Sequence, residues 1–183
     1  MIENTDDKQL WSRLKSGDKH AFDIIYRSYI DTLYKYGSRF SQDSNTVEDA
    51  IHDLFVYIWK QKANLSDTDS IKAYLLFALR NSLLKILKNK SRVELKDQDL
   101  YLSEKEMSAE ASIIKDEEQD ALKFALKKSL NVLSNREREV MYLKYFDGMS
   151  YEDICSIMNI NYQSVRNLVS RSLKKLHVEL KKS

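Results

Sequence analysis

SYEDICSIMNINYQSVRNLVSRSLKKL, residues 150–176, reads as two helices joined by a turn of three residues. Ser150 with Asp153 has the form of a capping box. Ile154, Cys155, Ile157 and Met158 make the apolar side of a short helix, and Asn159-Ile160-Asn161 is a tight connection. A longer helix follows, with Val165, Leu168, Val169, Leu173, Leu176 and Leu180 on one side and a basic opposite side. This is the layout of a helix-turn-helix, whose second helix sets its first turns against base edges in the major groove while basic residues further along meet phosphates. Arg166, Asn167, Ser170 and Arg171 share the outward side, and Lys174 continues it. Arg is the usual bidentate partner of guanine and Asn of adenine. A plain helical hairpin with a solvated face has the same spacing, so this segment alone leaves both readings open.

The surrounding composition extends the helical reading to the whole chain. Its 183 residues contain no Pro and only three Gly, too few for the frequent tight turns of barrels, sandwiches and Rossmann units. That length suits one ordinary domain or two small ones. The single Cys excludes an intramolecular disulfide and a four-Cys zinc site, and suits a reducing compartment. The longest apolar run, Ala73 to Leu79, is bounded by Lys72 and Arg80, far short of a membrane span. The first residues lack the basic-then-apolar pattern of a signal peptide. The expectation is an all-α, cytoplasmic protein without direct membrane insertion.

Helical spacing recurs upstream. Leu10, Trp11 and Leu14 begin one helix, and Phe22, Ile25, Tyr26, Tyr29, Ile30 and Leu33 mark a second. Thr46 to Asp49 has the capping-box form, followed by a stripe of Val47, Ile51, Leu54 and Ile58 running to Trp59. A cap at Asp69 or Ser70 then opens a long helix with Tyr74, Phe77, Leu84 and Leu87 among its apolar positions. Periodicity fails from Val93 to about Asp116, the expected linker. Past about Glu117 come a stripe of Leu122, Ala125, Leu126 and Leu130, a helix capped at Ser134 and Glu137, and a stop at Asp147-Gly148.

The net charge of +2 conceals segregation. Residues 72–92 hold six basic side chains and no acidic one, residues 93–120 hold three basic and ten acidic, and residues 162–183 hold six basic and one acidic. A solvated helix face usually mixes signs, so the unmixed 72–92 block points to a polyanion. Its interleaved Tyr74 and Phe77 suit single-stranded nucleic acid, held by cations along phosphates and by stacking surfaces for bases. Both rings also fit core positions, and Phe77 is expected there. Arg80 and Asn81 straddle the edge of the apolar stripe.

Taken together, the order of segments resembles a sigma-70-type RNA polymerase sigma factor of the extracytoplasmic-function (ECF) class. Gly17 to Phe22, with Tyr26 and Tyr29, is similar to the opening of sigma region 2. Val47-Glu48-Asp49-Ala50-Ile51-His52-Asp53-Leu54 through Trp59 is similar to the polymerase-docking helix, and Ser70 through Arg80-Asn81 to Lys90 to the promoter-melting helix. Leu133 to Val140, Tyr145 to Ile154 and Ser164-Val165-Arg166 are similar to region 4. The resemblance covers roughly residues 10–92 and 120–178. Departures are Ser134 where Pro is common, Lys85 where an acidic residue is frequent, a Lys-rich end of the melting helix, and Cys155 where Ala is usual.

The resemblance implies a region 2 bundle in residues 1–92, an acidic linker in 93–119 and a region 4 helix-turn-helix in 120–183. It implies docking on the clamp helices and flap of core polymerase, with Glu48, Asp49, Asp53 and Trp59 as the clamp-facing residues. The Lys62–Asp69 loop and the following helix would open the minus-10 element and hold its non-template strand, through Tyr74, Arg80, Asn81, Lys85, Lys88, Lys90 and Arg92. Arg166, Asn167, Ser170, Arg171 and Lys174 would read the minus-35 duplex. An anti-sigma partner is common in this class, although no residue identifies one here. No catalytic residue, cofactor or metal is implied. His20, His52 and His177 show no metal-ligand spacing, and HExxH, a phosphate-cradling Gly loop and a nucleophile elbow are all missing. Cys155 reads as packing rather than a redox switch. A stand-alone helix-turn-helix regulator would account for residues 120–183 while leaving the first 92 unexplained, and a helical adaptor would not need the basic block.

Overall fold

The computed structural model describes residues 6–94 and 132–181, with side chains described over 7–90 and 132–181. The chain divides into two compact units, Met1–Ser103 and Glu104–Ser183. Among the described residues every regular element is a helix.

The first unit contains α1 (Asp6–Lys15), α2 (Lys19–Gly37), α3 (Ser44–Gln61), a 3-10 turn (Lys62–Asn64) and α4 (Ile71–Glu94). Gly17, at φ +91°, reverses the chain after α1 in a conformation that favours glycine. Asp18 then caps α2, its carboxylate accepting from the backbone N–H groups of His20 and Ala21. Helix α2 packs on α1, α3 and α4. The core joins Trp11 and Leu14 of α1, Ile25, Leu33 and Tyr36 of α2, Val47, Ile51 and Ile58 of α3, and Ile71, Leu75, Leu76, Leu79 and Leu83 of α4. Each such aliphatic side chain contributes about 1.5–3 kcal/mol on leaving water. At Gly37 α2 lies close against α3: a Cβ there would lie 2.7 Å from Val47 Cγ1.

Two expectations fail in this unit. The capping box at Thr46–Asp49 is not formed, because α3 starts earlier, at Ser44 after Asp43. Thr46 is instead a buried residue of the first turn, donating its hydroxyl to Asp43 Oδ2 at 2.5 Å and accepting from Lys90 Nζ at 2.8 Å. The Thr46 hydroxyl thus ties the first turn of α3 to the end of α4. In α4 the buried stripe runs through Leu75, Leu76, Leu79 and Leu83, and Phe77, expected in the core, is 39% exposed. Tyr74, Leu84 and Leu87 are half-buried at its margins. Ser70 is the cap of α4, its hydroxyl accepting from Ala73 N.

The second unit contains α5 (Asn135–Tyr145), α6 (Tyr151–Met158) and α7 (Tyr162–Leu180). Both capping boxes expected here are formed: Ser134 with Glu137, and Ser150 with Asp153. Gly148, at φ +65°, follows α5, and Asn159, at φ 52°, closes α6 in the left-handed region. Leu133, Val140, Leu143, Ile154, Ile157, Met158, Val165 and Val169 form its core. The 93–119 linker and the stripe from Leu122 to Leu130 lie outside the described residues.

Candidate nucleic-acid interface

Helix α7 is anchored by Val165, Val169 and Ser172, which face α5 and α6. Its entry is fixed by Asn161, whose side chain accepts from Ser164 N at 2.8 Å. That anchoring leaves Tyr162, Gln163, Arg166, Asn167, Ser170, Arg171 and Lys174 exposed. The five expected residues therefore share one surface, with two that sequence reading missed. Gln163 Nε2 donates to Asn167 Oδ1 at 3.0 Å, which orients the Asn167 carboxamide. The i, i+4 spacing of two amides on the outer face was the available signal. Beside this face a groove of about 490 Å³ separates α7 from the start of α5, with Arg136, Asn167, Arg171 and Lys175 in its lining. At its base lies Glu137, 4% exposed and bonded by Ser134 and by Lys175 Nζ at 2.8 Å. Burial alone would raise its pKa, but the hydrogen bonds from Lys175 and Ser134 prevail and hold it below the usual carboxylate value.

On α4 the residues opposite the buried stripe are Phe77, Asn81, Lys85 and Lys88, all exposed and separated by four, four and three positions. An aromatic face, a carboxamide and two ammonium groups thus lie along one line on a rigid helix. Lys90 is also exposed; its ammonium bonds Thr46 and lies 3.3 Å from Asp43 Oδ2. Tyr74 leans on Trp11, ring centroids 4.8 Å apart. Burial pushes its pKa up. Arg80 departs from the expected set. It is 7% exposed, on the turn between Leu76, Leu79 and Leu83, and belongs to the interior of the unit rather than to its surface. Arg92 lies where side chains are outside the described residues.

On α3, Glu48, Asp49 and Asp53 are exposed on the side away from the core. Trp59 lies further along the same helix. It is half-buried, 5.2 Å from the Phe22 ring, with Lys62 Nζ 4.4 Å from its own ring centroid. Phe22, Tyr26, Phe55 and Trp59 form a continuous aromatic cluster between α2 and α3, and Tyr26 at its edge is 40% exposed. Sequence reading set Phe22 and Tyr26 on a helical stripe and not on a surface, because their spacing also fits a core.

Cys155 is half-buried, and burial raises its thiol pKa, keeping it protonated at neutral pH. Among the described residues no group of three or more His, Cys, Asp and Glu side chains is placed to hold a metal ion. No described helix is long and apolar enough to cross a membrane.

Comparison with known proteins bears on both units. Residues 25–93 match the family model for sigma-70 region 2, and residues 123–176 match that for sigma-70, region 4. The RNA polymerase sigma-H factor of Pseudomonas aeruginosa is 24% identical over 179 residues, covering 94% of this chain and 92% of the relative. The ECF RNA polymerase sigma factor SigM of Bacillus subtilis is 23% identical over 157 residues, covering 85% and 93%. Among solved structures, the sigma factor RpoE of Bartonella quintana, in complex with the anti-sigma factor NepR, superposes with a TM-score of 0.65 at 25% identity, covering 87% of this chain and 96% of that one.

Proposed function

The chain belongs to the sigma-70 family of RNA polymerase sigma factors, ECF class, and from that premise we propose how its surfaces divide the work of an alternative sigma factor. The protein binds RNA polymerase core and directs promoter-specific initiation, with the polymerase performing the chemistry. In our reading the first unit is region 2, the second is region 4, and the acidic residues 93–119 connect them. Action in the cytoplasm, where polymerase and promoter DNA are, follows from that role.

Helix α7 reads the minus-35 duplex. Arg166 and Asn167 address base edges from its first turns, Ser170 and Arg171 extend the contact, and Lys174 meets phosphate. Helix α4 acts on the minus-10 element. Lys85 and Lys88 hold the phosphates of the non-template strand, and Phe77 offers a stacking face. Asn81 hydrogen-bonds a base taken out of the duplex, which offsets the few kcal/mol of lost stacking. The acidic face of α3 and the aromatic cluster around Trp59 dock on core polymerase, charge guiding the encounter and aromatic burial supplying affinity. The single observation that carries this reading is the line Phe77, Asn81, Lys85 and Lys88 on α4. A stand-alone helix-turn-helix regulator has no use for such a line. An anti-sigma factor that covers these surfaces would keep the protein silent.

In vitro transcription with bacterial core polymerase on pooled genomic fragments tests the proposal. New discrete start sites that need both the protein and core are expected. Salt-sensitive binding of the protein alone to specific duplexes, with neither core binding nor new starts, would overturn it in favour of the stand-alone regulator.

A further inference from the structure

Between the 3-10 turn and α4 the chain runs through Leu65 to Ser70, and α1 grips this loop along its length. Trp11, 1% exposed, donates its indole N–H to Ser66 O at 2.8 Å. The Lys15 ammonium pairs with the Asp67 carboxylate, and Lys8 Nζ lies 2.9 Å from Asp69 Oδ1. The Asp7 carboxylate accepts from Ile71 N at 2.9 Å, closing the first turn of α4. The Trp11 ring rests on Tyr74 of that same helix. Within the loop, Thr68 Oγ1 donates to Ser70 O and accepts from Ser70 N.

Exposed ion pairs hold little by themselves, and Lys8 with Asp69 is such a pair. The indole bond and the Asp7 cap are different, since Trp11 is fixed in the core and Asp7 holds a backbone N–H. Together these contacts do two things. They order the loop before any ligand arrives, removing an entropy loss that would otherwise fall on binding. They also set ammonium groups on the two loop carboxylates, Asp67 and Asp69, whose charge would repel a phosphate backbone. An aspartate pair in a loop meant to meet DNA is explained once α1 neutralises it.

We propose that α1 is the positioning element of the 62–70 loop, presetting it to capture a base of the opened strand, with Trp11 and Lys15 as the residues that fix base preference without touching DNA. This rests on the minus-10 role proposed above for α4 and on the same role that the resemblance implies for the loop.

The test uses the full chain assembled with core polymerase and fork DNA whose minus-10 non-template strand is single-stranded, each base replaced in turn. Trp11→Phe keeps the ring and loses the donor; Lys15→Met removes the charge on Asp67; Lys15→Arg keeps it. In the double variant W11F/K15M, preference at the base nearest the loop is expected to fall at least tenfold, with affinity for core as in the parent. Lys15→Arg is expected to retain the preference. Preference unchanged within twofold, or lost only in step with core affinity, overturns the proposal. Should Trp11→Phe lower the melting temperature, Lys15→Met against Lys15→Arg decides alone, because the two replacements are of similar length and differ in charge on Asp67. A parent protein indifferent to every base on the single strand would instead remove the minus-10 role, an outcome visible without any variant.

Discussion

Arg166 and Lys88 carry the same charge on different helices, and the difference in what they face is measurable. Arg166 sits on the first turns of α7, where the proposed function sets its planar fork against a base edge. Arg166→Ala is expected to lose about 1–3 kcal/mol at one base pair of the minus-35 element and little on sequences already altered there. Lys88→Ala, on α4, is expected to weaken binding evenly across promoters and lower the salt slope by about 1. Holoenzyme titrations over several salt concentrations separate the two, and equal losses from Arg166→Ala on every promoter would refute base reading. Glu137 supports a second test at this scale. Its pKa is lowered in the folded protein, so its contribution is present above the unfolded value near 4.5 and is lost as pH falls through the lower folded value. Glu137→Gln is expected to destabilise the second unit by about 1–2 kcal/mol at pH 7, shown as a lower melting temperature, and to shrink its loss of stability below pH 4.5. An unchanged acid profile would remove the Lys175 contact from the explanation. The positions of Arg166 and Asn167 were legible because period and residue type agreed on one face. Arg80 was not, because a cation beside an apolar stripe reads as surface until the neighbouring helices are in place.

The elements show where local signals suffice. Ser134 with Glu137 and Ser150 with Asp153 are capping boxes in sequence and in structure, since every atom of the motif lies within one turn. The same spacing at Thr46 misleads, because α3 starts two residues before it, at Ser44, and Thr46 falls inside its first turn, with its hydroxyl bonded to Asp43 and Lys90. Asn159 is legible for the opposite reason: its left-handed conformation needs only a residue that tolerates it. The register of α4 lay between these cases. Leu, Phe and Tyr recur all round that helix, and only the packing of α2 and α3 selects the Leu75-Leu79-Leu83 side. Gly37 tests that packing. Gly37→Ala would put a methyl 2.7 Å from Val47 Cγ1 and force α2 from α3, at about 1–3 kcal/mol by thermal or urea unfolding of the first unit. A neutral result would mean that Val47 moves aside freely, and that the close approach of the two helices contributes nothing to their register.

At the scale of the molecule, the segregated charge was the clearest signal in the chain, because contiguous blocks need no fold to be seen. The grip of α1 on the 62–70 loop was invisible for the converse reason, its bonds joining residues 55 and 64 positions apart. What the whole chain adds to its parts is the reading of two promoter elements by one molecule. Arg166 and Asn81 lie in different units and share no partner in the proposed contacts, so their losses should add as free energies. Asn81→Ala is expected to reduce holoenzyme affinity for fork DNA by about 1 kcal/mol, the worth of one hydrogen bond. The double variant with Arg166→Ala should then show the product of the two fold-losses to within about 0.5 kcal/mol. A loss well short of that product would mean that failure at one element already abolishes reading at the other, with initiation demanding both at once. A loss beyond it would mean that each contact normally compensates for weakness in its counterpart, and that promoters poor in one element survive only through the other.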